Sequence, residues 1–158
     1  MRVQQSIVID RPPKDVWRLI GDLTRYPSFF AGITKWDPKS EERSGVGARY
    51  RVLMQVGSIQ AGGTLHVTEW QENVGIAWES EAGIQMSGRS EIEPEGAGTR
   101  VRLEIDFTLP GPGGWLVERI AGRIVGRNLW ATLLAARRII EHEQDEAQPF
   151  SRSPLGRS

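Results

Sequence analysis

Ser6-Ile7-Val8-Ile9-Asp10-Arg11-Pro12-Pro13-Lys14-Asp15-Val16-Trp17 reads as the end of an alternating strand, a Pro-Pro stop and the first turn of a helix. By period-two counting, Val3, Gln5, Ile7 and Ile9 share one face of a strand over Arg2–Asp10. The prolines end the strand, because they cannot donate to a ladder, while a first helical turn accepts them. Asp10 is placed to cap that helix, and Val16, Trp17, Leu19 and Ile20 form its apolar side up to Gly21. A second short helical or turn segment follows over Thr24–Gly32, where Tyr26, Phe29 and Phe30 are too dense in aromatics for a solvated loop.

The other end of the chain carries a single long helical pattern from Gly113 to about Gln148. Val117, Ala121, Ile124, Val125, Asn128, Leu129, Thr132, Leu133, Ala136 and Ile140 recur at steps of three and four, and Arg119, Arg123, Arg127 and Arg138 lie mainly off that stripe. Between the two ends the chain alternates like strands. The spacing predicts Ile33–Glu42, Ala48–Val56, Gln60–Gln71, Ile76–Glu81, Gly83–Glu93 and Thr99–Leu109, separated by turns that include Pro94–Gly98. In the last strand Val101, Leu103, Ile105, Phe107 and Leu109 oppose Arg100, Arg102, Glu104, Asp106 and Thr108, so one face is dry and one is wet. The expectation is an α+β chain: seven antiparallel strands against one long C-terminal helix, with two short helices between strands one and two. Pro110–Gly114 breaks the chain before the long helix, and residues 149–158 read as a disordered tail behind a single domain over 1–148.

Bulk composition narrows the function classes. The chain has 158 residues, enough for a core plus a cavity, since a domain of this size buries roughly 70% of its unfolded surface. Its 20 basic and 20 acidic side chains cancel, which gives no electrostatic invitation to nucleic acid. Without cysteine there are no disulfides, thiolate nucleophiles or cysteine-type zinc sites, and no apolar run reaches the roughly 18 residues of a membrane span. A cytoplasmic protein with no stable membrane anchor is expected, and its oligomeric state is left open. Of the basic residues 17 are arginine and only Lys14, Lys35 and Lys39 are lysine, a skew that fits a GC-rich bacterial genome.

Catalytic signatures are sparse. His66 and His142 stand in no ligand spacing, so neither a metal nor another cofactor is expected, and His66 is out of phase with Leu65 and Val67 on a solvated sheet face. No G-x-S-x-G elbow is present, and the glycine pairs Gly96/Gly98 and Gly111/Gly113 lack the context of a phosphate loop. Counting inward positions instead collects an apolar set: Tyr50, Val52, Met54, Val56, Leu65, Val67, Glu69, Ile76, Trp78, Ile84, Met86, Leu103, Ile105 and Phe107. The helix adds Ile124, Asn128 and Leu129, with Phe29, Phe30 and Trp36 near one mouth. Glu69 and Asn128 are the polar members that would be costly to bury without partners, and Glu69 and Tyr50 are the candidates for acid–base work. The ligand-binding set is therefore Phe29, Phe30, Trp36, Tyr50, Val52, Met54, Val67, Glu69, Trp78, Met86, Ile105, Phe107, Ile124 and Asn128.

The order of elements resembles the START or birch-pollen-allergen-like (SRPBCC) superfamily, and within it the polyketide cyclase/dehydrase and lipid-transport-like proteins. Ile9–Trp17, Asp22, Tyr26-Pro27, Gly45 and Gly47 before a strand, Val67-Thr68-Glu69 near a strand end, and Gly98-Thr99-Arg100-Val101 opening the last strand carry the resemblance over about residues 2–146. It implies the helix-grip fold. It also implies binding or transport of a hydrophobic small molecule, such as a lipid, polyketide or isoprenoid, in an internal cavity. A polyketide cyclase, aromatase or dehydratase working in the same cavity is the alternative, and a protein-interaction module is a second one.

Overall fold

The computed structural model describes residues 1–109 and 111–147, the last four by backbone alone, so the expected tail lies outside the described residues. Strand β1 (Arg2–Ile9) leads into helix α1 (Pro13–Ile20), a 3-10 turn over Leu23–Ser28, and then strands β2 (Ile33–Pro38) and β3 (Arg49–Val56). Strands β4 (Ile59–Gln71), β5 (Gly75–Gly83), β6 (Gln85–Glu95) and β7 (Gly98–Thr108) follow, and helix α2 (Gly114–Ala147) closes the chain. All seven strands form one antiparallel sheet in the order β1-β7-β6-β5-β4-β3-β2. From β2 to β7 the sheet is a plain meander, so only β1 crosses, pairing Ile7 with Val101 and Ile9 with Thr99. Helix α2 packs chiefly on β1 and also reaches β7, β3 and α1. This is the helix-grip arrangement that the sequence predicts.

The Pro-Pro reading holds with one correction. Pro12 itself is the N-cap residue of α1, its carbonyl accepting from the Asp15 and Val16 amides, and no side chain caps this end. Asp10 lies too early for the role, because Pro12 adopts extended backbone and helical geometry starts only at Pro13. Asp22 does cap the 3-10 turn, accepting from the Thr24 amide at 3.1 Å. The expected Pro94–Gly98 turn is also shorter than predicted. Pro94 pairs with Thr99 and Glu95 with Gly98, which leaves only Gly96 and Ala97 in the turn.

Helix α2 is gripped along only part of its length. From Val125 to Ile140 its stripe is core: Leu129 and Leu133 are fully buried, with Ala136 and Ile140 almost so. Thr132, in the middle of that stripe, is a latch. Its hydroxyl accepts from the Ala31 amide at 2.9 Å and donates to the Asn128 carbonyl at 2.7 Å, tying the chain ahead of β2 to the helix. Before Val125 the stripe is progressively uncovered: Ala121 and Ile124 are half-buried and Val117 is 48% exposed, with the neighbouring Ile120 at 60%. Helical periodicity identifies an apolar face but not what covers it.

Candidate functional site

Between the sheet and the first half of α2 lies a cavity of about 360 Å³. That is within the range of small-molecule sites, roughly 300–1,000 Å³. Strand β3 supplies Tyr50, Val52, Met54 and Val56 to its wall, and the neighbouring strands add Leu65, Val67, Ile76 and Trp78. Met86, Ile105 and Phe107 continue the wall, and Val117, Ile120, Ala121, Ile124 and Val125 of α2 close it. Ile59 and Ile120, both 60% exposed, line the cavity too, so its mouth lies between the β3–β4 turn and the start of α2. Trp115 and Leu116, 67% and 50% exposed, extend the apolar surface at that end of the helix.

Of the residues expected in a ligand site, Phe30, Trp36, Tyr50, Val52, Met54, Val67, Trp78, Met86, Ile105, Phe107 and Ile124 line this cavity. Phe29, Glu69 and Asn128 do not. Phe29 and Phe30 are both buried in the core instead of standing at the mouth. Glu69 is turned outward by a bulge: Val67 pairs with Trp78 but Glu69 with Ala77, so one extra residue reverses the alternation. The carboxylate then meets Arg89 at 2.9 Å on the outer face, while Trp70 turns inward to pack edge-on against Trp17. Asn128 is half-buried, with its amide against Gly32. The periodicity that assigned Glu69 inward carries no signal for the bulge, since Thr68 is an ordinary strand residue.

His66 packs its imidazole near Glu79 and Glu81, at 3.5 and 3.3 Å, the second of which also binds Arg49 at 2.6 Å. Among the described residues no group of three or more potential metal ligands clusters.

Three aromatic residues supply the polar atoms at one part of the cavity wall. Trp36 lies between Tyr26 and Tyr50, with ring centroids at 5.5 and 4.8 Å. The Tyr26 hydroxyl donates to the Ile20 carbonyl at 2.8 Å, and the Tyr50 hydroxyl donates to the Arg43 carbonyl at 2.6 Å. Tyr26 therefore ties the 3-10 turn to the end of α1, and Tyr50 holds the loop at Arg43 beside β3. The indole Nε1 of Trp36 is different: it is buried and has no acceptor on the protein among the described residues. Sequence counting singled out Trp36 for its position near the cavity and carried no hint that its donor is unpaired.

Burial pushes both phenols up. For Tyr26 desolvation dominates, opposed by the Ser90 hydroxyl and reinforced by Asp22. For Tyr50 desolvation again leads, with the Arg43 charge acting against it and Asp22 with it. These are the only two tyrosines in the chain. An absorbance titration at alkaline pH should therefore show the Tyr26 phenolate step absent near the usual value of about 10 while the protein is folded, and the Tyr50 step displaced upward. The unfolded chain loses those protons first, so it binds fewer protons than the folded state above pH ~10. Stability then falls with rising pH, by about 1.4 kcal/mol per pH unit for Tyr26 alone. Two full phenolate steps at about 10 in the folded state would show that both hydroxyls are open to solvent.

Similarity to known proteins agrees with this architecture. The chain is similar in structure to TTHA0849 from Thermus thermophilus, with 22% identity, a TM-score of 0.78, and coverage of 90% of this chain and 99% of that one. It is also similar to the Zhui aromatase/cyclase from Streptomyces sp. R1128, with 20% identity, a TM-score of 0.80, and coverage of 94% and 98%. A START superfamily protein from Mycobacterium smegmatis matches with 18% identity and a TM-score of 0.66, covering 90% of this chain and 98% of that one. At these identities the likeness establishes the fold. No curated protein matches the sequence significantly. The family model for polyketide cyclase/dehydrase and lipid transport matches residues 1–141, from the Pro-Pro strand-to-helix through the gripped half of α2, and the chain thus belongs to that family.

Proposed function

We propose that the protein binds and carries a hydrophobic small molecule in the cavity between its sheet and α2. The observation that carries this reading is the wall itself: a cavity of about 360 Å³ bounded almost wholly by aliphatic and aromatic side chains. Apolar surface of this kind binds by desolvation, at roughly 25 cal/mol per Å² removed from water. The mouth beside Ile59 and Ile120 gives such a ligand a path in that stays apolar. Transport requires only that the cavity load and unload. Among the described residues no helix is long and apolar enough to cross a membrane.

The family description also covers cyclases and dehydrases, and a cyclase can act largely by folding its substrate in a shaped cavity. Tyr50 is the acid–base candidate that lines the wall, but its hydroxyl already donates to Arg43. Glu69 faces Arg89 outside. Binding therefore needs fewer rearrangements than catalysis, and we favour it.

Native mass spectrometry after mild purification, combined with displacement of a fluorescent fatty acid, tests the proposal. The native protein is expected to bind the probe. Ile84→Trp, which adds bulk at a half-buried lining position, should weaken binding at least roughly tenfold while leaving the unfolding temperature within a few degrees. Retention of full affinity by this variant would place the ligand elsewhere, and no adduct or displacement across a lipid panel would reject the carrier reading.

A further inference from the structure

We propose that the outer face of α2 docks reversibly on an anionic lipid bilayer, with the cavity mouth set against the membrane. This goes beyond the carrier reading and concerns the outside of the molecule. Leu116, Ile120, Arg123, Arg127 and Trp130 recur at steps of four and three, so they share one side of the helix, and all five are exposed. Arg119 lies beside Leu116 and Arg123 on that side, and Trp115 stands at its start. Of the six tryptophans in the chain only Trp115 and Trp130 are exposed, at 67% and 43%. They lie about 22 Å apart along the axis, at a rise of about 1.5 Å per residue.

The charge on this face is of one sign. Among the described residues no carboxylate pairs with Arg119, Arg123 or Arg127. Glu118 is the one acid between Gly114 and Ile140, and it turns aside to accept from the Leu109 amide at 2.7 Å. A net charge of zero over the whole chain thus conceals a basic strip beside an apolar mouth. Arginine interleaved with tryptophan and aliphatic side chains suits a helix lying in the plane of a membrane surface. The apolar groups enter the acyl boundary there, and the guanidinium groups meet lipid phosphates. A second copy of the chain fits poorly, because two such faces brought together oppose arginine to arginine. The mouth beside Ile59 and Ile120 favours a bilayer over an acidic protein: an apolar ligand could pass between acyl chains and cavity there without crossing water.

Vesicle flotation of the full chain tests this, with equal parts phosphatidylglycerol and phosphatidylcholine against phosphatidylcholine alone. The native protein should bind the mixed vesicles at least roughly tenfold more tightly than the neutral ones, and added salt should release it. Arg119→Glu, Arg123→Glu and Arg127→Glu combined should abolish flotation while leaving fatty-acid affinity in solution unchanged, since none of the three lines the cavity. Brominated acyl chains in the mixed vesicles should also quench the native tryptophan emission, a readout that needs no variant. Equal binding to both kinds of vesicle, no binding to either, or flotation unchanged in the triple variant overturns the proposal. So does a native protein that sediments as a dimer where the triple variant is a monomer, which would assign this face to a second copy. The fatty-acid assay uses no vesicles, so failure of the carrier reading and failure of membrane docking are distinguishable.

Discussion

Leu129→Ala is expected to cost about 3 kcal/mol of stability, within the 2–5 kcal/mol typical of truncating a buried leucine. The size follows from where the residue sits. Leu129 is fully buried on the half of α2 that the sheet and α1 cover, beside the Thr132 latch, so the lost atoms leave a hole that the neighbours cannot easily fill. For a protein of this length the unfolding temperature should drop by roughly 6–12 °C. Val117→Ala, on the same stripe but near the start of α2, is expected to change stability by less than about 0.5 kcal/mol, because the side chain is already 48% exposed. Urea unfolding of the two variants side by side checks the contrast. Equal losses would mean that α2 is gripped from end to end.

Gly63→Ala should be nearly as damaging, at about 3 kcal/mol, although it adds a single methyl group. At Gly63 a Cβ would stand 1.9 Å from the Ala82 carbonyl oxygen, and at the adjacent Gly62 it would stand 2.0 Å from the Val52 carbonyl oxygen. Backbone atoms of both neighbouring strands occupy the space, so no rotamer change relieves the contact and a strand must move. Gly63 pairs with Gly83, whose own Cβ would come within 2.3 Å of the Gly62 carbonyl oxygen, and the β4–β5 register shifts just after, between Thr64 and Leu65. Three glycines thus let strands β3, β4 and β5 approach closely where the sheet curls around the cavity, a recurrent use of glycine within strands. Chemical denaturation of Gly63→Ala is the check. A loss below about 0.5 kcal/mol would show that the strands reseat freely and that the glycines do not set the curvature.

Much of the architecture was legible in the chain because it rests on local rules. Strand alternation from Val101 to Leu109 and the Pro-Pro stop at Pro12-Pro13 depend only on side-chain period and on the missing proline N–H. Those rules also placed Tyr50, Val52, Met54, Ile105 and Phe107 on the cavity wall, since each lies in an unbroken stretch of its strand. The rules failed where one residue changed the count. A bulge between Val67 and Glu69 sends the carboxylate to Arg89 and brings Trp70 inside, and period-two counting cannot anticipate it. Gly62-Gly63 likewise reads as ordinary strand until its neighbours are seen.

By itself, then, the sequence determined the elements, their order and which faces are apolar, because these follow from backbone sterics and hydrophobic periodicity. Only the tertiary structure decided what each apolar face meets. It buries Leu129 and Leu133 yet leaves Ile120 at a mouth, and it commits the Tyr26 and Tyr50 hydroxyls to the Ile20 and Arg43 carbonyls while the Trp36 indole keeps its donor. The physical reason is that hydrogen-bond pairing and enclosure depend on residues distant in the chain, and these meet only when seven strands and a helix have closed around the same space.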